Sequence, residues 1–275
     1  MIKKPKIILI TGASSGMGKE TALKLIKEGY IVYGAARRID QMQDLVDAGG
    51  HGIEMDITKD DQIISCVNRI INEQGTIDVL INNAGYAIYG AVEDTTIDEA
   101  RRQFEVNLFG VARLTQLVLP YMRKQNSGKI INISSMGGKM YTPLGAWYHS
   151  TKHALEGWSD CLRLETKQFG IDVIIIEPGA IATEFGDVAL QPMLDRSGKG
   201  AYSKMTNLLA NALKRTYDKG DNSPPSVIAN VISEAIMSDK PKTRYAAGKW
   251  AKLMIWMRIH LSDKIFDKII MSQVK

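Results

Sequence analysis

The run Lys6-Ile7-Ile8-Leu9-Ile10-Thr11 leads straight into Gly12-Ala13-Ser14-Ser15-Gly16-Met17-Gly18, which opens the helical pattern KETALKLIKEG of 19–29. A short β-branched apolar run reads as a buried strand. Glycines at its end let the backbone bend sharply and approach a ligand. The N-terminus of the following helix then offers free N–H groups and a partial positive charge to a pyrophosphate. The spacing is G-x-x-x-G-x-G rather than the general G-x-G-x-x-G. A plain glycine turn is the alternative, and the strand before and helix after it argue for a binding turn.

The same alternation continues along the chain. Short apolar runs occur at Ile31–Ala36, Gly52–Met55, Val79–Asn82, Lys129–Ile133 and Asp172–Ile176, each followed by helix-compatible sequence, and Thr243–Ala246 suits one last strand. This predicts an α/β fold, a Rossmann-like doubly wound parallel sheet of about seven strands in a three-layer α/β/α arrangement. The length of 275 residues is read as a single domain over 1–275. Residues 185–225 break the rhythm, with Gly, Ser, Asp and Pro at both ends and a helix-like middle around Tyr202–Lys214. A long excursion late in an α/β fold reads as a substrate lid.

The second strand bears on the ligand. A NAD site usually places Asp or Glu there, roughly 20 residues past the glycines. This chain has Arg37-Arg38 instead. Two guanidinium groups suit a 2′-phosphate, which makes NADP(H) the expected cofactor. A solvated arginine pair at a strand end is the alternative. Asp56 is placed either to accept from an adenine amino group or to cap a helix starting near Thr58.

Bulk properties exclude several classes. The net charge of +5 comes without a Lys/Arg block, so nucleic acid is not an expected partner. Cys66 and Cys161 lie in amphipathic patterns and read as two buried small hydrophobes of a reducing, cytoplasmic compartment. The N-terminal apolar run is too short for a signal peptide. No stretch reaches the roughly 18 apolar residues of a spanning helix. His51, His149, His153 and His260 show no metal spacing, so no metal is expected. His149 and His153, four apart, read as a solvated or interface pair.

The stretch Ile130–Lys152, IINISSMGGKMYTPLGAWYHSTK, carries the chemistry. A strand delivers Ser134-Ser135 at its C-terminal end, where open α/β sheets place ligands. A glycine-rich loop follows, and a helix opens near Trp147. Tyr148 and Lys152 share a face of it. A free tyrosine has a pKa of about 10 and is a poor base; lowering it by about 3 units takes about 4 kcal/mol of phenolate stabilisation. A nearby ammonium and an oxidised nicotinamide can supply that. Tyr148 could then exchange a proton with a carbonyl or alcohol oxygen while hydride moves, with Ser135 hydrogen-bonded to the same oxygen. A Tyr-x-x-x-Lys taken alone reads equally as a surface pair.

TGASSGMG at 11–18, NNAG at 82–85, Asn107 within FEVNLFG, ISS at 133–135, YHSTK at 148–152 and PG at 178–179 occur together and in this order. Through them the chain resembles the short-chain dehydrogenase/reductase family over nearly its whole length. The resemblance implies that Ser135, rather than Ser134, is the catalytic serine and that Tyr148 is the general acid/base. It implies that Lys152 binds the nicotinamide ribose and lowers the tyrosine pKa, and that Asn107 helps hold a water relay. The cofactor contacts it implies are Gly12, Ser14, Ser15, Gly16, Met17, Gly18, Arg37, Arg38, Asp56, Ile57, Asn83, Ala84, Gly85, Pro178, Gly179, Ile181 and Thr183, besides Tyr148 and Lys152. It also implies a homo-dimer or homo-tetramer formed through helices near Thr96–Arg123 and Trp147–Phe169.

Residues expected near the mouth are mostly apolar: Tyr86, Met136, Met140, Tyr141, Trp147, Phe185, Leu190 and Met193. They favour a small hydrophobic carbonyl or alcohol, steroid-, retinoid- or lipid-like. The extension 249–275 sets Trp250, Leu253, Met254, Met257, Leu261, Ile265 and Ile269 near helical spacing, interrupted by Lys252, Arg258, Lys264 and Lys268. Such a basic amphipathic pattern suits a membrane surface, a cover over the mouth, or packing on its own domain. Two other functions share these motifs: a 3-oxoacyl-carrier-protein reductase, and an NADPH-binding sensor without turnover.

Overall fold

Strand β1 (Ile7–Thr11) sets the pattern of the whole sheet. Alternate side chains of a strand leave on opposite faces. Ile8 and Ile10 enter one core with Ala22, Leu25, Ile228 and Ile232. Ile7 and Leu9 enter a second core with Ile63, Val67, Leu114 and Val118. A strand buried on both faces needs no polar alternation, which is why these runs are continuously apolar.

The computed structural model describes residues 5–183, 185–218, 220, 222–272 and 274, with side chains for all of these but 185–188 and 215–218. The other strands are β2 (Ile31–Ala36), β3 (His51–Glu54), β4 (Val79–Asn82), β5 (Gly128–Ile133), β6 (Ile171–Pro178) and β7 (Arg244–Ala247). All pair in parallel in the order β3-β2-β1-β4-β5-β6-β7. The helices are α1 (Gly16–Lys27), α2 (Gln43–Asp47), α3 (Asp60–Gln74), α4 (Ile97–Phe104), α5 (Gly110–Lys124), α6 (Ala146–Thr166), α7 (Phe185–Ser197), α8 (Ser203–Asp218), α9 (Ser226–Met237), α10 (Ala251–His260) and α11 (Asp263–Ser272). α1 and α9 cover the first core, and α3, α5 and α6 the second. This is the expected Rossmann-like three-layer fold. The chain runs from β1 through β2 and β3 on one side, then returns to lay β4 on the other side of β1. Ligands of open α/β sheets bind at such a switch point, beyond the strands' C-terminal ends.

Three expectations are corrected. The stretch after residue 185 is not a loop with one helical middle but two helices, α7 and α8, sharing a cluster of Met193, Leu194, Met205 and Leu209. The C-terminal extension is likewise two helices, because the chain turns extended at Leu261. Cys66 is buried as expected, whereas Cys161 is exposed on the outer side of α6.

Candidate active site

A cavity of about 580 Å³ opens at the switch point, lined by the ends of β1, β2 and β4. It brings together Gly12, Ser14, Ser15, Gly16, Met17, Arg37, Arg38, Asp56, Ile57, Asn83, Ala84, Gly85 and Thr183. Gly12 turns the chain with φ +68°, and a Cβ on Gly18 would collide with Gly12 O and Asn83 Nδ2. The turn is held from across the sheet. Thr11 Oγ1 accepts from Asn83 N (3.1 Å) and Ala84 N (2.9 Å), and Asn83 Nδ2 donates to Thr11 O (2.9 Å) and Gly12 O (3.2 Å). Thr11 is therefore a support of the turn that motif reading passed over.

The start of α1 is left open to an anion. Its N-cap residue, Ser15, makes no side-chain bond to the first turn; its Oγ accepts instead from Arg38 Nη2 (3.1 Å). Arg37 is exposed at the cavity wall. Helix N-terminus, hydroxyl and two guanidinium groups thus converge on one region. Asp56 is partly engaged. Its Oδ1 accepts from Thr58 N (2.9 Å) and Oγ1 (2.8 Å), and its Oδ2 pairs with Arg102 Nη2 (3.2 Å). It caps a turn at Thr58 rather than the helix, which begins at Asp60.

Pro178, Gly179 and Ile181 stand outside the cavity lining. Pro178 ends β6; Gly179 N donates to Ala247 O (2.8 Å); Ile181 is buried in the first core. A Cβ on Gly179 would collide with Lys249 O. Close approach of the chain to itself therefore accounts for that glycine.

Tyr148 and Lys152 are both buried on α6, at 8% and 7% exposure. Lys152 Nζ donates to Ile133 O at the end of β5 (2.8 Å) and would stand 3.7 Å from a Cβ on Gly85 in the cavity wall. Burial pulls its ammonium down to about 8, and the Glu156 carboxylate one turn on partly offsets this. The ammonium therefore remains the main form at neutral pH. Asn107 lies in a π-helical turn, Glu105–Phe109, between α4 and α5. Its Nδ2 donates to Tyr86 O (2.9 Å) and Thr151 Oγ1 (3.0 Å), and its Oδ1 accepts from Tyr86 N (3.1 Å). It ties the loop after β4 to the helix carrying Tyr148. Single π turns within helices are frequent at functional sites.

Ser135 follows β5 with extended backbone, and its Oγ accepts from Gly137 N (3.0 Å). With that N–H accepted, the hydroxyl keeps its own proton to donate. Ser134 Oγ is buried without a partner among the described residues. A Cβ on Gly137 would stand 3.2 Å from Tyr148 Cε1, so the serine loop lies against the tyrosine ring.

His149 holds that loop in place. It is buried within the fold, whereas the expectation was a solvated or interface pair; of the two, His153 alone is exposed. Its Nδ1 lies 2.9 Å from Gly137 O, and its Nε2 lies 3.1 Å from Thr142 N, a group that can only donate. Nε2 is thus the acceptor and Nδ1–H the donor. Burial pushes the imidazole down to about 4, which keeps it neutral. Sequence spacing could not show this, because the partners lie in a loop that folds back onto the helix.

The expected apolar mouth divides. Met136, Met140 and Tyr141 pack against α10 and α11, and Leu190 and Met193 pack within the α7–α8 cluster. Tyr86 lines the cavity, and the Trp147 indole Nε1 is buried. The Phe185 side chain lies outside the described residues. Tyr89, packed against the α7–α8 cluster, places its ring 5.9 Å from that of Tyr148.

Comparison with known proteins shows the family. The model of the short chain dehydrogenase family matches residues 6–193. A 3-ketodihydrosphingosine reductase of Bacteroides thetaiotaomicron is 47% identical over 188 residues, 67% of each chain. A probable short-chain type dehydrogenase/reductase of Helicobacter pylori is 34% identical over 261 residues, 95% of each. The crystal structure of a short-chain dehydrogenase from Streptomyces avermitilis superimposes with a TM-score of 0.81 at 33% identity, covering 98% of this chain and 96% of that one. This chain therefore belongs to the short-chain dehydrogenase/reductase family of oxidoreductases.

Proposed function

We propose that the chain interconverts a ketone or aldehyde and an alcohol on a hydrophobic, lipid-like substrate with NADP(H) as cofactor. The observation that carries this reading is the convergence, beside the switch-point cavity, of buried Lys152, Tyr148 one turn before it, and the Ser135 loop against the tyrosine ring. The cavity fits a dinucleotide: it runs from the uncapped start of α1 to Gly85, where Lys152 Nζ lies near. Bound there, the cofactor would supply or accept a hydride. Tyr148 donates its phenolic proton to the substrate oxygen in reduction and removes it in oxidation. The Lys152 ammonium favours the phenolate, and Ser135 donates its hydroxyl proton to the same oxygen. Asn107 holds the loop at Tyr86 and the helix at Thr151 in register.

The apolar lid next to Tyr148 supports a hydrophobic substrate. The name of the Bacteroides relative supports a long-chain 3-keto lipid. Exposed Ile97 on α4, Phe109 on the π turn that leads into α5, and Leu164 on α6 support a homo-dimer or homo-tetramer through this side of the molecule. The choice of NADP(H) rests on Arg37 and Arg38. Arg37→Asp is expected to weaken NADPH binding about tenfold to hundredfold, the worth of a charge-assisted hydrogen bond, with little change for NADH. Equal losses in fluorescence titrations with both cofactors would remove the arginine from phosphate recognition.

A further inference from the structure

Helices α10 and α11 bury one side and leave the other bare. Met254, Phe266 and Ile270 pack with Met140 against Met136 and Tyr141, in the loop that follows Ser135. The outer surface carries Trp250, Leu253, Trp256 and Ile259 at three-residue spacing, 46–66% exposed, and α11 adds exposed Ile265. Contiguous large apolar side chains at such exposure mark an interaction surface. Lys252, Lys264 and Lys268 flank them, exposed and without an ion pair among the described residues. Residues 249–275 hold six cations against Asp263 and Asp267, a net +4 of the chain's +5. Both acids are engaged: Asp263 pairs with Arg258 (3.1 Å), and Asp267 accepts from the Tyr141 hydroxyl (3.0 Å).

We propose that this surface docks on an anionic lipid bilayer, with Trp250 and Trp256 at headgroup level, Leu253 and Ile259 at the acyl boundary, and the lysines on the headgroups. No helix among the described residues is long and apolar enough to cross a membrane, so the contact is a surface one. A second copy is the poorer occupant, because two-fold pairing through this face would bring two like-charged patches together. An acidic protein partner would engage the lysines and leave the tryptophans and aliphatic residues without a role. Since α10 and α11 seat on the loop after Ser135, docking would set the substrate side of the proposed active site against the lipid. The binding itself does not depend on the proposed chemistry and is measured without turnover.

The test is co-sedimentation of the full chain with vesicles of phosphatidylcholine alone and of phosphatidylcholine with phosphatidylglycerol. The chain is expected to sediment with the anionic vesicles, less so as salt rises. Each of Lys252→Glu, Lys264→Glu and Lys268→Glu should lower the partition at least fivefold, about the worth of one lysine near an anionic surface. Leu253→Ser with Trp256→Ser should abolish it. Should that double variant fail to fold, quenching of wild-type tryptophan fluorescence by brominated lipid decides in its place, and its absence overturns the proposal. So does a chain that stays in the supernatant with both vesicle types. An oligomer that dissociates in the double variant while vesicle binding is unchanged assigns the face to a second copy and likewise overturns it.

Discussion

His149 acts at the level of two hydrogen bonds. Through Gly137 and Thr142 it fixes the loop whose Gly137 N–H orients Ser135. His149→Ala should lower kcat about tenfold while KM moves less, because a buried donor and acceptor lose their partner and the serine its aim. Glutamine also carries a donor and an acceptor at its tip, so His149→Gln should recover part of the loss. The imidazole is held below its free value of about 6.5. The stability it lends is therefore full above that value and fades as pH falls through about 4. Melting temperature followed across this window should fall less steeply in the glutamine variant.

Glu177 has the opposite sign. Burial, and then the Glu156 charge, raises its carboxyl to about 7. Its contribution is full below the usual carboxylate value and is lost as pH rises through 7. Glu177→Gln keeps the neutral shape, and Arg244 retains Glu156 (3.1 Å) and Asp160 (2.6 Å). The melting temperature of the variant should gain on wild type between about pH 5 and pH 8. A constant difference would mean that Glu177 is ionised throughout.

Among the elements, the turn from β1 to α1 was the most legible in advance, because its function demands glycine where no side chain fits. Gly18→Ala should cost both melting temperature and dinucleotide affinity, since the added methyl meets Gly12 O and the Asn83 amide. Thermal melts with and without cofactor separate the two losses. The five inner strands were readable as well, since strands buried on both faces are continuous apolar runs; the edge strands β3 and β7 are only partly buried and read less clearly. The helix content after residue 185 was misread: Pro192 sits inside α7, and an internal proline reads as a helix end. The π turn at Asn107 leaves no mark in a period of 3.6 residues. Neither His149 nor Thr11 has a local partner that spacing could reveal, because their bonds join segments brought together only by the fold.

On the scale of the molecule, the strand order creates the crevice between the ends of β1 and β4, and the α6 crossover lays Tyr148 and Lys152 beside it. Helices α7 and α8 and the two C-terminal helices then add apolar walls to one end of the sheet. The central claim is that the phenol of Tyr148 passes the proton in a carbonyl–alcohol exchange. It is tested by NADPH consumption with a panel of long-chain ketones and a 3-oxoacyl carrier thioester, for wild type and Tyr148→Phe, with NADPH binding measured alongside. The wild type should turn over a hydrophobic ketone, and the phenylalanine variant should bind NADPH normally and lose turnover by about a hundredfold or more, the worth of general acid catalysis. Undiminished turnover in the variant would contradict the assignment of Tyr148.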